Sequence, residues 1–229
     1  MQNIITFDIE TVPTTNEKTI AKIRAEIEQE KRTITAPANY KDPDKIAVYI
    51  AEKAKELDGD FDRRLRQTAL NGARGHIYCI SAALNNNAPV CFYDTNEATI
   101  LYKFFEFCAK NGQRSNDIYC GHDFVRFDLP FIYQRAVILG VKPPDCIPFH
   151  AKPWDSRIFD TLVKWCGIKG EGSMDSVCDA LGIEGKGDIT GKTFYDAVLS
   201  GRHDECLQYC NDDVIRTREM YRRMAFVAA

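Results

Sequence analysis

The sequence has no excess of basic residues. Its 30 Lys and Arg are balanced by 33 Asp and Glu, which gives a net charge of −3. Proteins that hold nucleic acid through a globally basic surface are therefore excluded, although a local basic path is not. The composition, 45% hydrophobic and 28% charged over 229 residues, is that of a folded globular protein. We predict a single domain over residues 1–229.

Long apolar runs are also missing. No stretch approaches the roughly 18 residues that suggest a membrane span, and the longest candidates are short runs such as residues 136–141. A secretory signal is not indicated either, because residues 1–9 carry no basic residue before the apolar run and include Asp8. We expect no membrane association and a cytoplasmic location.

The cysteines lack the spacing of a metal or disulfide framework. There are nine of them, an odd number, and no C-x-x-C pair occurs. We expect reduced thiols that mostly serve as small buried apolar groups, in keeping with a cytoplasmic protein. Cys206 and Cys210 are one helical turn apart, but no suitably spaced histidine pair accompanies them, so zinc ligation is not favoured.

Hydrophobic periodicity predicts an order of elements along the chain. An apolar strand at 3–7 is followed by a charge-rich, mainly helical insertion at 13–74, with a helix at 17–31 and another that begins at Pro43 after an Asp42 cap. Strands at 76–84 and 89–93 then flank three asparagines, 85–87, whose turn chemistry predicts an antiparallel hairpin. Further expected elements are a strand at 117–120 and helices at 96–109, 129–139 and 204–224. This alternation predicts an α/β domain with a mixed sheet.

The first candidate site is the acidic pair after the first strand. Asp8 and Glu10 are two residues apart, so a strand places both carboxylates on one face while Phe7 and Ile9 point the other way. Paired carboxylate oxygens suit a divalent metal. Such a pair is common, however, and is more often surface charge when it stands alone.

Two further acidic points follow. Asp128 stands directly before an apolar helix, where it is either a site residue or an ordinary N-cap. Tyr209 and Asp213 are four apart in the last helix and share a face, which also fits a buried tyrosine beside a solvated acid. Tyr40 and Asp44 have the same spacing, so the pair alone decides nothing.

The three acidic motifs, taken in this order, resemble those of the DEDD superfamily of 3′-5′ exonucleases. The motifs are FDIET at 7–11, FDLP at 127–130 after the Gly-His pair at 121–122, and YCNDD at 209–213. The tyrosine four residues before the last aspartate resembles the Tyr-containing branch, and most of the chain is similar to stand-alone exonucleases related to the proofreading domain of family B DNA polymerases. Segments 173–182 and 185–188 resemble the family's region between the second and third motifs.

The resemblance implies a ribonuclease H-like fold, with a mixed sheet flanked by helices and a helical insertion after the first strand. It implies a metal-dependent 3′-5′ exonuclease that acts on single-stranded or frayed DNA ends, with RNA as the nearest alternative substrate. Two Mg²⁺ ions, with Mn²⁺ as a substitute, would activate water and stabilise the leaving oxygen. The implied metal ligands are Asp8, Glu10, Asp128 and Asp213, and Tyr209 completes the implied catalytic set.

Substrate contacts are a weaker expectation. Phe127 is a candidate for stacking on the terminal nucleotide. The family usually has asparagine at the position of Asp123, and an extra anion there puts the usual backbone contact in doubt. The expected substrate-binding residues are Ile9, Thr11, His122, Asp123, Phe127 and Lys186. Lys186 and the further basic residues Arg126, Arg216 and Arg223 are candidates for phosphate contacts, although an exposed, solvated side chain is the favoured explanation for each of the four.

Two functions of other classes compete with this interpretation. The DIET run at 8–11 and the NDD run at 211–213 resemble motifs of haloacid-dehalogenase-like phosphatases, but Glu10 stands where Asp is expected and Asp213 is predicted within a helix. A non-catalytic nucleic-acid binding module is disfavoured, because unneutralised carboxylates repel phosphate. The expected partner is nucleic acid, and nothing in the sequence indicates a protein partner.

Overall fold

The computed structural model describes residues 2–185 and 187–227. The chain divides into two compact units, one formed by Met1–Thr11 with Ile77–Ala229 and the other by Val12–His76. The second unit contains the charge-rich helical segment expected at 13–74. A single exonuclease domain over 1–229 stays a prediction.

The first unit is built on a five-stranded mixed sheet in the order β3-β2-β1-β4-β5. β4 pairs in parallel with both β1 and β5, whereas β2 and β3 form an antiparallel hairpin. The predicted mixed sheet is confirmed. The strands are β1 (Ile4–Val12), β2 (His76–Leu84), β3 (Val90–Tyr93), β4 (Ile118–Gly121) and β5 (Ile158–Asp160).

Eight α-helices are found in the described part of the chain. They are α1 (Glu17–Arg32), α2 (Pro43–Gln67), α3 (Glu97–Asn111), α4 (Asp128–Leu139), α5 (Thr161–Cys166), α6 (Met174–Leu181), α7 (Phe194–Leu199) and α8 (His203–Met224). The short elements β5, α5 and α7 escaped the sequence prediction, because three to six residues are too few to display a period. None of the described helices combines the length and apolar character that crossing a membrane requires.

β1 is longer than the sequence predicted. The expected strand at 3–7 was wrong at its end, since the strand continues to Val12 and Asp8 and Glu10 lie inside it. The physical reason is that Phe7 and Ile9 are both buried, so the alternation of core-facing side chains continues past Phe7. The two carboxylates consequently project from a regular strand that fixes their spacing.

The two faces of the sheet are covered differently. On one face the Phe7 ring packs 5.3 Å from the ring of Phe104 in α3 and 5.5 Å from that of Phe124. These residues belong to a large apolar core that also includes α4. α8 lies on the opposite face, where Asn211 Oδ1 accepts a 2.6 Å hydrogen bond from Ser81 Oγ. Asp8 and Glu10 project from β1 toward the side of α8.

The second unit consists mainly of α1 and α2. Asp42 caps α2 by accepting a 3.0 Å hydrogen bond from Asp44 N, and Pro43 is the first helical residue, as the sequence predicted. The guanidinium of Arg64 in α2 makes two hydrogen bonds, of 2.8 and 2.6 Å, to the carboxylate of Glu30 in α1. A planar bidentate pair of this kind fixes the register between the two helices.

Candidate active site

Three of the predicted metal ligands meet between β1 and α8. Asp8, Glu10 and Asp213 each offer a carboxylate oxygen, and these oxygens lie within 4.8 Å of one another. Asp213 is almost fully buried, with 3% of its surface exposed, whereas Asp8 and Glu10 are half-buried. An all-oxygen set of this kind, open on one side, fits a hard divalent cation.

Contacts of α8 hold Asp213 in place. Arg216 Nη1 donates a 2.8 Å hydrogen bond to Asp213 Oδ1, and the same guanidinium donates to the carbonyls of Glu184 and Gly185 at 3.1 and 2.9 Å. Arg216 is therefore engaged within the protein and orients Asp213. The expectation that it contacts substrate phosphate stays a prediction.

Asp128 lies beside this cluster but outside the group of three. Its Oδ1 accepts a 3.1 Å hydrogen bond from the backbone N–H of Ile9. The Asp128 carboxylate therefore contacts β1 at the residue between Asp8 and Glu10. The N-cap interpretation was wrong: Phe127 is the N-cap of α4, it makes no capping side-chain hydrogen bond, and Asp128 is the first helical residue. Burial raises the pKa of the Asp128 carboxyl to about 8, although the hydrogen bond from Ile9 opposes this shift.

Tyr209 lies one turn before Asp213 in α8. It is 6% exposed, and its ring packs 5.8 Å from the ring of Phe194. Burial raises the pKa of the Tyr209 hydroxyl well above its usual value near 10, and the charges of Glu10 and Asp213 add to this effect. The hydroxyl therefore keeps its proton at neutral pH and is suited to orient a neighbouring oxygen through a hydrogen bond.

Asp160, which the sequence analysis missed, braces the loop before Asp128. It is buried at the end of β5, and its carboxylate accepts hydrogen bonds of 3.0–3.2 Å from four backbone N–H groups, those of Asp123, Val125, Leu162 and Val163. The first two belong to the loop and the last two to α5. Its sequence signal is faint, an aspartate after two apolar residues and before a short helix.

Asp123 occupies a left-handed backbone conformation with φ of +60°. Asn and Asp are the non-glycine residues that adopt this region most readily, which accounts for either of them at this position. The Asp123 carboxylate accepts a hydrogen bond from Arg126 Nε. Its negative charge is thus partly neutralised by Arg126, and the expected extra anion is one half of an exposed ion pair.

His122 and Phe127 frame the same loop. His122 Nδ1 lies 2.8 Å from Thr161 Oγ1, so the imidazole is anchored to the start of α5. The Phe127 ring is half-buried and packs 5.5 Å from the ring of Phe131. Both residues have a structural role, and their contacts with substrate stay predictions.

The remaining substrate-binding candidates lie in different surroundings. Ile9 is buried and its N–H is engaged by Asp128, whereas Thr11 is half-buried in β1. Arg223 donates a 2.5 Å hydrogen bond to the carbonyl of Leu181. Lys186 lies outside the described residues. The substrate roles of all four residues stay predictions.

Two family models match the chain. The model described as "Predicted 3′-5′ exonuclease related to the exonuclease domain of PolB" matches residues 86–229, and the model "DNA polymerase family B, exonuclease domain" matches residues 2–150. The chain belongs to the 3′-5′ exonuclease family related to the exonuclease domain of PolB. The resemblance stated from the sequence is confirmed, as is the prediction that the chain is an enzyme of this class.

A solved structure shows the same fold. The family B DNA polymerase from the hyperthermophilic archaeon Pyrobaculum calidifontis matches with a TM-score of 0.61 at 14% sequence identity, over 98% of this chain. The chain spans 25% of the length of that polymerase. Together with the mixed sheet, this match confirms the predicted ribonuclease H-like fold. A search of curated protein sequences finds no match.

Proposed function

We propose that this exonuclease removes nucleotides from the 3′ end of single-stranded or frayed DNA, with metal-ion assistance. The observation that carries the proposal is the meeting of Asp8 and Glu10 from β1 with Asp213 from α8 within 4.8 Å. Asp213 is 203 residues beyond Glu10 in the sequence, and three like charges in a partly buried site repel one another, so a bound cation would stabilise this arrangement.

The donor set fits hard cations. Carboxylate oxygens are what Mg²⁺ and Mn²⁺ prefer, and the group contains neither sulfur nor imidazole. We propose Asp8, Glu10, Asp128 and Asp213 as the residues that hold two Mg²⁺ ions. When bound, such a pair supplies a nucleophilic water and charge stabilisation at the leaving 3′ oxygen.

The protein side chains would act by holding groups and protons in place. The Tyr209 hydroxyl, kept protonated by burial, donates a hydrogen bond that orients the attacking water. Arg216 holds the Asp213 carboxylate in one orientation. Asp128 accepts a hydrogen bond from the backbone of Ile9 and so holds the start of α4 against β1.

The terminal nucleotide is proposed to lie beside the loop 122–127. Phe127 offers a partly exposed ring for stacking, and Thr11, His122 and Asp123 border the same end of the sheet. Ile9 supports the site from the core. Lys186 is retained as a phosphate contact on the basis of its sequence position alone.

The match to the model described as the exonuclease domain of family B DNA polymerases supports DNA over RNA as the substrate. RNA remains the competing substrate. A phosphatase of the haloacid-dehalogenase type is disfavoured by the placement of Asp213 inside α8 and not at a strand end. We also propose a cytoplasmic location, because all nine cysteines are free thiols.

The decisive experiment digests end-labelled single-stranded DNA and RNA of identical sequence, with Mg²⁺, Mn²⁺ or chelator. We expect a ladder that shortens from the 3′ end, faster for DNA, and no reaction with chelator. Asp8→Ala, Glu10→Ala, Asp128→Ala and Asp213→Ala should each abolish hydrolysis while the protein stays folded.

The exposed carboxylate variant Asp145→Ala is the matched control and should retain full activity. Hydrolysis that proceeds at the wild-type rate in chelator would contradict the metal-dependent mechanism. Near wild-type turnover in any one of the four variants at saturating Mg²⁺ would remove that residue from the site.

A further inference from the structure

A cluster of three thiols lies next to the acidic site. The sulfur atoms of Cys79 in β2, Cys91 in β3 and Cys210 in α8 are within 4.8 Å of one another. Among the described residues, two groups of three side chains could hold a metal ion, and this group is the one made of sulfur ligands. The spacing of Cys206 and Cys210 in the sequence did not favour a metal, and it gave no sign that Cys210 meets Cys79 and Cys91.

The hairpin register explains why the three thiols meet. Cys79 pairs with Tyr93 and Ser81 pairs with Cys91, so Cys79 and Cys91 are diagonal neighbours on one face of the sheet. α8 covers that face, where Asn211 is hydrogen-bonded to Ser81 at 2.6 Å. The residue before Asn211 is Cys210, which therefore meets the two strand cysteines.

Access to the cluster is provided by the edge of the sheet. Cys79 and Cys210 are fully buried, whereas Cys91 is half-buried on β3, the edge strand. An ion from solvent thus reaches Cys91 first. Behind Cys91, the two buried sulfurs are shielded from competing water.

We propose that Cys79, Cys91 and Cys210 form a binding site for one soft, thiophilic cation of the Cu(I), Zn²⁺ or Cd²⁺ class. Thiolate sulfur selects these ions and discriminates against Mg²⁺. With metal–sulfur bonds of about 2.3 Å, three sulfurs around one ion are roughly 3.8–4.0 Å apart, within the separation limit of this cluster. Each coordinating thiol releases its proton to solvent as the metal–sulfur bond forms.

The thiol cluster contacts the acidic site through one side chain. Cys210 Sγ lies 3.7 Å from the carbonyl oxygen of Asp8 and 3.9 Å from its Oδ2. When three thiolates hold one of these cations, the group carries a net negative charge, and Cys210 has lost the proton that it donates to Asp8. If the proposed function holds, occupation of the thiol cluster therefore inhibits hydrolysis by displacing Asp8, because its contacts with Cys210 are lost and the new negative charge repels its carboxylate.

The site is tested by titrating the reduced, full-length protein with Cd²⁺ in excess Mg²⁺, which keeps the acidic cluster occupied. Sulfur-to-cadmium charge-transfer absorption and native mass spectrometry report the ion directly. We expect saturation at one Cd²⁺ per chain. Outer-shell changes alone cost about 10–100-fold in metal affinity, so Cys91→Ser, which removes a ligand, should weaken binding by at least as much.

Cys166→Ser is the matched control, since Cys166 is also half-buried but lies outside the cluster. It should bind Cd²⁺ like the wild type. Equal titrations of wild-type and Cys91→Ser protein, or no charge-transfer band in the wild type, would overturn the site. Thermal melts verify that each variant is folded. Because Cys91 is partly exposed, we expect Cys91→Ser to fold even if Cys79→Ser does not, so this variant is enough to test the site.

The coupling to hydrolysis has its own readout. In excess Mg²⁺, one equivalent of Cd²⁺ should slow digestion of single-stranded DNA by the wild type and leave the rate of Cys91→Ser as it is without Cd²⁺. Full activity with the ion bound would overturn the coupling. Because the titration does not use turnover, a chain without nuclease activity would contradict the proposed function and leave the test of the thiol site intact.

Discussion

The carboxylate of Asp128 accepts a 3.1 Å hydrogen bond from the backbone N–H of Ile9, the residue between Asp8 and Glu10. One interaction thus joins the start of α4 to the acidic segment of β1. It also gives Asp128 a structural contact that an amide oxygen can reproduce. The charge of Asp128 can therefore be separated from its geometry by the substitution Asp128→Asn.

We expect Asp128→Asn to stabilise the metal-free protein at neutral pH. Burial raises the pKa of Asp128 to about 8 in the folded state, against about 4 in the unfolded chain. Between these values only the unfolded state loses its proton, so the wild type becomes less stable as pH rises from about 4 to about 8. The asparagine variant does not incur this loss.

Thermal melts in chelator measure the effect. A gain of at least 1 kcal/mol corresponds to roughly 2–4 °C in a chain of this size. The melting temperature of Asp128→Asn should exceed that of wild type by about 3 °C or more near pH 8, and the difference should disappear near pH 4. A difference that is constant across this range would show that the carboxyl is not the cause. Asp145→Asn, at an exposed site, is the control.

Tyr209→Phe should slow hydrolysis while preserving folding and DNA binding. The ring keeps its contact with Phe194, and only the hydroxyl is lost. A positioned group of this kind contributes roughly 10²–10⁴-fold, so we expect a decrease in kcat within that range. Because burial raises the pKa of the hydroxyl, the wild-type rate should show no tyrosine ionisation near neutral pH.

Single-turnover digestion over a range of pH, with DNA binding measured in parallel, distinguishes these roles. A decrease of less than about threefold would make Tyr209 a buried aromatic without a catalytic function. Tyr221→Phe, a second buried tyrosine of α8, is the matched control and should keep the wild-type rate.

Asp123→Asn should tighten nucleic-acid binding at low ionic strength. The substitution keeps a residue that tolerates the left-handed backbone, removes an anion and frees Arg126 from its ion pair. The interaction free energy of an exposed ion pair is up to about 1 kcal/mol, and a change of this size in the binding free energy corresponds to roughly fivefold in Kd. High salt should remove the gain, because exposed charges are screened.

Binding of a labelled single strand in chelator tests this at low and high salt. Arg126→Gln added to Asp123→Asn should return the affinity to the wild-type value. No change at either salt concentration would mean that neither Asp123 nor Arg126 faces the substrate.

Asp160→Ala should destabilise the protein and impair catalysis together. The change leaves four backbone N–H groups without their acceptor, and each unsatisfied buried group costs about 1–3 kcal/mol. We expect the melting temperature to fall by roughly 6 °C or more. Because two of these groups belong to the loop before Asp128, misplacement of that residue should also lower kcat.

Asp160→Asn distinguishes positioning from stability. It keeps the oxygen that accepts from three of the four N–H groups, so the folded state survives, but the amide nitrogen that replaces the second oxygen cannot accept from the N–H of Val125. At a temperature where both proteins are folded, kcat should fall about tenfold or more with little change in KM. Unchanged kcat would limit Asp160 to a structural role.

Local periodicity was enough to predict the pairs within each element. A strand places Asp8 and Glu10 on one face, and a helix places Tyr209 one turn from Asp213. The order of the three motifs then identified the family, and the turn residues of the hairpin and the cap of α2 were predicted correctly. Each of these features depends on residues close together along the chain or on motif order.

Tertiary structure decided what lies between the elements. The approach of Asp213 to β1, the Ile9 contact of Asp128, the four hydrogen bonds of Asp160 and the thiol cluster at Cys91 all join segments far apart along the chain. Such contacts depend on the register of the sheet and on which face α8 covers. Neither is determined by a local period, because strand pairing and helix packing are selected by burial of the whole core.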